Sequence, residues 1–323
     1  SLSAQLLHAL GENLRPASQC KRTLGMTGMW KCHCCKPLVA PSVLDCDTTS
    51  MASECSRALG SGVDYIHLDI MDGHFVPAIS FGPAVVANLR KHHPTIFFDC
   101  HMMIDKPETQ VEAIAKANAS HPTTGANLLQ YIFHIETTES RGKTQEVIDM
   151  VKKNGMRVGL SLNPATPIER VLPYMTQLDT VLVMTVVPGK GGQSFMVDMM
   201  DKVRTVRLQY PLKDIEVDGG VKPATVDEAS KAGANMIVSG TGIFKAEDMR
   251  FAISTMKRSV EKYGNGLPEE KCTPLSYDKD ATKLPSDAAA TKLPSDAAVL
   301  ATAAAAAAGL LLVGLAYRSL STK

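Results

Sequence analysis

Between Lys36 and Lys262 the chain repeats one pattern eight times: a short apolar, β-branched run, then an amphipathic stretch with a polar opening residue. Strand-like runs fall at 37–43, 64–70, 96–103, 129–135, 157–161, 180–186, 214–218 and 236–240. Helical patterns occupy 48–60 (after Asp47), 83–92, 107–117, 143–154, 167–175, 198–208, 223–232 and 246–262. Strict alternation makes successive strands parallel, because each helix must return the chain to the edge where the previous strand began. Eight such units fit the α/β class and predict a (β/α)8 TIM barrel over residues 36–263. The rival is an open doubly wound sheet, which would carry a glycine-rich dinucleotide turn after its first strand. Ser42-Val43-Leu44-Asp45 is nothing like one.

The 323 residues leave material at both ends of such a barrel. Residues 1–35 carry Arg15, Lys21, Arg22 and Lys31 against Glu12 alone, a bias resembling an organelle transit peptide; a disordered or loosely docked extension is the plainer reading. Cys32-His33-Cys34-Cys35 lacks the second ligand pair of a zinc finger and reads as free thiols. With eight scattered cysteines in all, the chain fits a reducing compartment. Residues 264–298 are rich in Pro, Ser, Asp, Lys and Ala and hold ATKLPSDAA twice in tandem, so they read as linker. Val299 to Tyr317 carries no charge, and as a helix it would span roughly 28 Å, close to a bilayer's apolar thickness. That run predicts a transmembrane helix, with a short tail at 318–323 and the barrel held on the cytosolic side of an intracellular membrane. An Ala-rich soluble helix is the alternative, since Ala inserts only weakly. A net charge of +1 argues against a nucleic-acid partner.

Chemistry in a barrel sits at the C-terminal ends of the strands. In Tyr65-Ile66-His67-Leu68-Asp69-Ile70-Met71, alternation turns His67 and Asp69 to one side, into the barrel if Leu68 and Ile70 face the helices. The next strand brings His101 to similar depth, and the seventh places Asp218 across the mouth. Two His and two Asp make a ligand set for a divalent transition metal. Asp69 and Asp218 also suit proton chemistry, one removing a proton from a bound sugar and the other returning one to its opposite face. A metal would stabilise the enediolate between the two steps. Val187-Pro188-Gly189-Lys190-Gly191-Gly192, Gly219-Gly220 and Gly240-Thr241-Gly242 follow the last three strands, where barrels cradle phosphate through backbone N–H groups.

Taken together, APSVL at 40–44, HLDIMDGHFVP at 67–77, FFDCHMM at 97–103, LNPATP at 162–167, VMTVVPGKGGQSF at 183–195, EVDGG at 216–220 and VSGTGIF at 238–244 resemble the ribulose-phosphate 3-epimerase family. The resemblance spans about residues 37–262. It implies interconversion of D-ribulose 5-phosphate and D-xylulose 5-phosphate in the pentose phosphate pathway. It also implies one divalent ion (Zn, Fe, Mn or Co) bound by His67, Asp69, His101 and Asp218, with Asp69 and Asp218 as the acid/base pair. Ser42 and His101 would contact the substrate; Gly189, Lys190, Gly191, Gly192, Gly219, Gly220, Gly240 and Thr241 would hold its phosphate beside Asp218. Met71, Met103 and Met184 match methionines that wall the family's mouth and keep water from the enediolate.

Four features depart from the family pattern: Lys190 replaces a usual Phe, Thr241 a Ser and Ala165 a Gly, and the loop at 118–126 is longer. A homo-oligomer is expected from the apolar barrel exterior. Two other readings stand beside this one: a 3-epimerase of a related ketose phosphate, and a membrane-tethered barrel scaffold without catalysis. Decarboxylating phosphate barrels are disfavoured, because they need Asp-x-Lys where this chain has Asp69-Ile70-Met71.

Overall fold

The computed structural model describes residues 22–24, 30–32, 36–119 and 128–263. Eight parallel strands form the barrel wall: β1 (Leu38–Pro41), β2 (Ile66–Met71), β3 (Phe98–Met103), β4 (Leu129–His134), β5 (Arg157–Leu162), β6 (Thr180–Met184), β7 (Asp214–Asp218) and β8 (Met236–Ser239). Neighbours in the chain are neighbours in the wall, and β8 pairs with β1 through Met236–Leu38 to Ser239–Pro41. The seam between β1 and β2 is the thinnest part of the ring. It is closed by a parallel bridge between Ser42 and His67 and by the Asp64 N–H donating to the Val39 carbonyl at 2.9 Å.

Among the described residues, five helices of ten residues or more cover the outside with apolar stripes. Within α1 (Met51–Ser61), Met51, Cys55 and Ala58 recur at helical spacing and are buried; Gly62, at φ 107°, ends the helix with its N–H on the Ala58 and Leu59 carbonyls. The others are α2 (Pro83–His92), α5 (Thr144–Lys153), α6 (Met200–Gln209) and α9 (Met249–Tyr263). Shorter helices are α3 (Val111–Asn118), α4 (Ile135–Thr138), α7 (Val226–Ala232) and α8 (Thr241–Phe244). The helix predicted at 167–175 is instead two 3-10 turns, Ile168–Arg170 and Leu172–Tyr174. Pro173 explains this, because it has no N–H to donate to the preceding turn. The short helices α4 and α8 were not anticipated, being too brief to show a period.

Outward-facing strand residues such as Leu68, Ile70, Cys100, Tyr131 and Val217 belong to the main apolar cluster under the helices. The lumen is built differently. One side is apolar, from Ile132, Leu182, Met184 and Val186. A Cβ on inward-facing Gly159 would meet Ile132 Cγ1 at 2.5 Å, so the glycine leaves the room that Ile132 fills. The opposite side, from β2, β3 and β7, is lined by buried His, Asp and Glu.

Arg22–Leu24 and Trp30–Cys32, within the extension expected to be disordered, pair as a two-stranded antiparallel ladder. The linker at 264–298, the apolar run 299–317, the tail at 318–323 and most of the 118–126 loop lie outside the described residues. Among the described residues, no helix is long and apolar enough to cross a membrane.

Candidate active site

Register places Asp69 on β2 directly beside His101 on β3. His67, two residues back on the same face, sits below them, and Asp218 ends β7 at the same rim. Asp69 Oδ1 lies 3.2 Å from His101 Nδ1 and 3.3 Å from His67 Nε2. Asp218 Oδ2 lies 3.6 Å from His101 Nδ1 and 3.8 Å from His67 Nε2. One ligand atom from each of the four residues falls within 4.8 Å of the others. His67 Nε2 is buried without a hydrogen-bond partner, a costly state unless something else uses its lone pair. A divalent cation fits this donor set of two imidazoles and two carboxylates brought close together.

Each histidine is held from behind. His67 Nδ1 lies 2.7 Å from Asp99 Oδ2, and Asp99 is fixed in turn by Gln130 Nε2 at 2.9 Å. Glu216 approaches the same ring nitrogen at 3.5 Å and accepts from the Tyr65 hydroxyl at 2.9 Å. His67, Asp99 and Glu216 could also be grouped as metal ligands. Their hydrogen bonds make them instead the support that leaves Nε2 of His67 as its ligand atom. His101 Nε2 lies 2.8 Å from His134 Nε2, and His134 Nδ1 lies 3.2 Å from Glu136 Oε2. Glu136 Oε1 accepts from the Asn163 N–H at 2.8 Å and from the Thr166 hydroxyl.

These surroundings divide the two aspartates. Burial pushes the Asp69 carboxyl up, but His67 and His101 outweigh it and hold the group below the usual range. The Ser42 hydroxyl, donating to Asp69 Oδ2 at 2.5 Å, favours the same ionised form. Asp218, farther from both rings, is pushed up to about 7 by burial and by the neighbouring Asp69 charge. Burial lowers His101 to about 4, with His134 adding to the fall. For His67 burial also acts downward, but Asp69, Asp99 and Glu216 raise it well above its usual value. A metal at Nε2 would compete with the proton that these three carboxylates favour. The two carboxyls of this one mouth therefore differ in acidity, Asp69 low and Asp218 raised.

Above the histidines the mouth is lined by Ser42, Asp69, Asp218, Met71, Met103 and Met184, with Gly189, Lys190, Gly191, Gly192, Gly219, Gly220, Gly240 and Thr241 at its upper rim. His67 and His101 are fully buried beneath. Gly219 and Gly220 have φ of 115° and 68°, and a Cβ on Gly220 would lie 2.5 Å from the Phe195 backbone nitrogen. Only glycine takes both the turn and the close approach at little cost. Lys190 is exposed at the edge, and Gln193 Nε2 braces its loop by donating to the Val187 and Lys190 carbonyls at 2.7 and 2.9 Å.

The site therefore unites the two histidines, the two aspartates, Ser42, the three methionines and the rim residues from Gly189 to Gly192, Gly219, Gly220, Gly240 and Thr241, leaves Gly242 outside the mouth lining, and adds several residues the sequence reading lacks. Asp99 and Glu216 lie two residues before His101 and Asp218 on the same strand faces, so period two alone could have found them. His134 was reachable by the same rule from Gln130 and Ile132. Glu136 and Asp45 follow strand ends, where no period helps.

Comparison with known proteins gives a consistent result. Residues 38–244 match the ribulose-phosphate 3 epimerase family. The ribulose-phosphate 3-epimerase (cytoplasmic isoform) of Oryza sativa subsp. japonica is 47% identical over 226 residues, 69% of this chain and 94% of its own length. That of Schizosaccharomyces pombe is 44% identical, over 69% of this chain and 94% of its own. The Escherichia coli K12 protein is 37% identical, over 70% and 96%. Among solved structures, KGPDC from Streptococcus mutans superposes with a TM-score of 0.52 at 13% identity, covering 71% of this chain and 99% of that one. At that identity it shares the barrel and nothing more. On the family match and on relatives aligned through nearly their full length, the chain belongs to the ribulose-phosphate 3-epimerase family.

Proposed function

We propose that the protein inverts C3 of a pentulose 5-phosphate, interconverting D-ribulose 5-phosphate and D-xylulose 5-phosphate in the pentose phosphate pathway. The observation that carries this reading is the pair of carboxyls, Asp69 from β2 and Asp218 from β7, that converge in one mouth with unequal acidity. Ionised Asp69 takes the C3 proton from one face of the sugar. Protonated Asp218 delivers a proton to the opposite face. The reverse reaction exchanges the two roles, so neither epimer needs a different site.

Ser42 keeps Asp69 ionised and oriented through its hydroxyl. Met71, Met103 and Met184 give the mouth apolar walls that limit water near the reacting carbon. The N–H groups around Gly189 to Gly192, Gly219, Gly220, Gly240 and Thr241 hold the phosphate and so fix C3 between the carboxyls. His67, Asp69, His101 and Asp218 would hold a divalent cation of the Zn, Fe, Mn or Co type. When bound, it supplies Lewis-acid stabilisation of negative charge on the sugar oxygens next to C3.

Incubating ribulose 5-phosphate with the enzyme in D₂O tests the reading directly. Deuterium at C3 of both epimers is expected. Label at another carbon, or turnover without label, would refute it, and faster turnover of a six-carbon ketose phosphate would reassign the substrate. The uncharged run 299–317 supports a membrane anchor that leaves this activity in the barrel. Full-length protein should then pellet with membranes while a chain ending at Gly264 stays in the supernatant; full-length protein free in detergent-free supernatant would refute the anchor.

A further inference from the structure

Asp45 closes the 3-10 turn Val43–Asp45 that follows β1, and its side chain enters the mouth. The carboxylate lies between the loop after β6 and the loop after β8. A Cβ added to Gly191 or to Gly240 would in either case stand 2.8 Å from Asp45 Cγ, and closer still to one of its oxygens. The room left by these two glycines is thus filled by an anion of the chain itself. The Thr241 backbone amide lies on the side of that carboxylate where it favours the ionised form. Lys245 attracts it, while Asp69 on β2 repels it; burial raises its pKa more than these neighbours alter it.

The same space is the phosphate cradle of the reading above, on which this inference rests. A carboxylate and a phosphate cannot share one set of N–H donors, and two anions at that separation repel. We propose that Asp45 is an internal competitor for the phosphate: its carboxylate occupies the cradle in the free enzyme and is displaced when a sugar phosphate binds. Displacement weakens every phosphate by the same factor, so Asp45 sets how tightly the cradle holds a phosphate and leaves its choice between a sugar phosphate and free phosphate to the contacts at Asp69, Asp218 and Ser42.

Steady-state kinetics of the metal-loaded full chain and of Asp45→Asn, with inorganic phosphate as competitor, test this. Asn keeps the shape but removes the charge. The expected result is a fall of about tenfold in both KM and the phosphate inhibition constant, since relief of a like-charge clash is worth at least that factor. Asp45→Ala, which empties the space, should move both constants the same way. Thermal melts of both variants establish that they are folded. If phosphate competes equally well with wild type and both variants, or if KM rises, the inference is overturned while the cradle stands. If phosphate competes with none of them and Gly240→Ala leaves KM unchanged, the cradle reading fails and the inference falls with it.

Discussion

Replacing Glu136 with Gln should weaken metal binding although Glu136 touches no ligand position. Glu136 offers two acceptor oxygens. Oε1 takes the Asn163 N–H at 2.8 Å and the Thr166 hydroxyl, and Oε2 faces His134 Nδ1 at 3.2 Å. A glutamine has one acceptor and one donor end. The Asn163 N–H can only donate, so the amide oxygen must stay there and the NH₂ turns to His134. His134 Nδ1 then has to accept, which moves its proton to Nε2. That nitrogen lies 2.8 Å from His101 Nε2, which itself carries a proton whenever neutral His101 offers Nδ1 to a metal. Two N–H groups would face each other, and the simplest escape puts the His101 proton on the ligand atom. Supporting residues of this kind are worth about 10–100-fold in metal affinity, and that is the loss expected here.

The loss should appear in Zn²⁺ titrations against a chromophoric chelator, with ¹⁵N shifts of the two rings reporting the tautomers. Burial opposes ionisation of Glu136, yet the His134, Thr166 and Asn163 contacts hold its carboxyl down to about 2, so the variant should also lose stability. Charge-assisted hydrogen bonds of this sort contribute about 1.5–3 kcal/mol. A Glu136→Gln protein with reduced Tm but unchanged metal affinity and unchanged ring tautomers would refute the relay, leaving Glu136 a purely structural residue.

Asp218→Asn should lower kcat by about 10³-fold or more, in line with removal of a general acid that is also a ligand, while shifting Tm little, since the native carboxyl is already strained by burial. Near-normal turnover would remove Asp218 from its role. Thorough chelation should silence the enzyme, with Zn²⁺, Mn²⁺ or Fe²⁺ restoring it; indifference to chelation would contradict the four-ligand site. Metal affinity should also depend on pH. Asp69, Asp99 and Glu216 outweigh burial and raise His67 well above its usual value, so its Nε2 must give up a proton when a cation binds there. Affinity is therefore expected to fall about tenfold for each unit below pH 7, and a flat profile from pH 7 to 5 would show that His67 Nε2 is not a ligand.

Much of this molecule is legible along the chain. Period-two alternation in a strand and the 3.6-residue stripe of a helix are local properties, so the eight strands, most of the helices and the inward turn of His67, Asp69, His101 and Asp218 follow from neighbouring residues alone. Where local signals conflict or are too short, the reading stops. Pro173 breaks what looks like a helical stripe, and α4 and α8 last only four residues each.

Electrostatics and partnership belonged to the tertiary structure. Asp69 and Asp218 read alike in sequence; in the barrel the two imidazoles and Ser42 hold Asp69 low, while burial and the Asp69 charge push Asp218 up. Asp99, Glu216, His134 and Glu136 become supports because closing the barrel brings β2 to β7 around a common interior. The conflict between Asp45 and a phosphate likewise exists only once the loops after β1, β6 and β8 meet. Residues 45, 191 and 240 are far apart in the chain, and hydrogen bonds and Coulomb forces depend on separation in space.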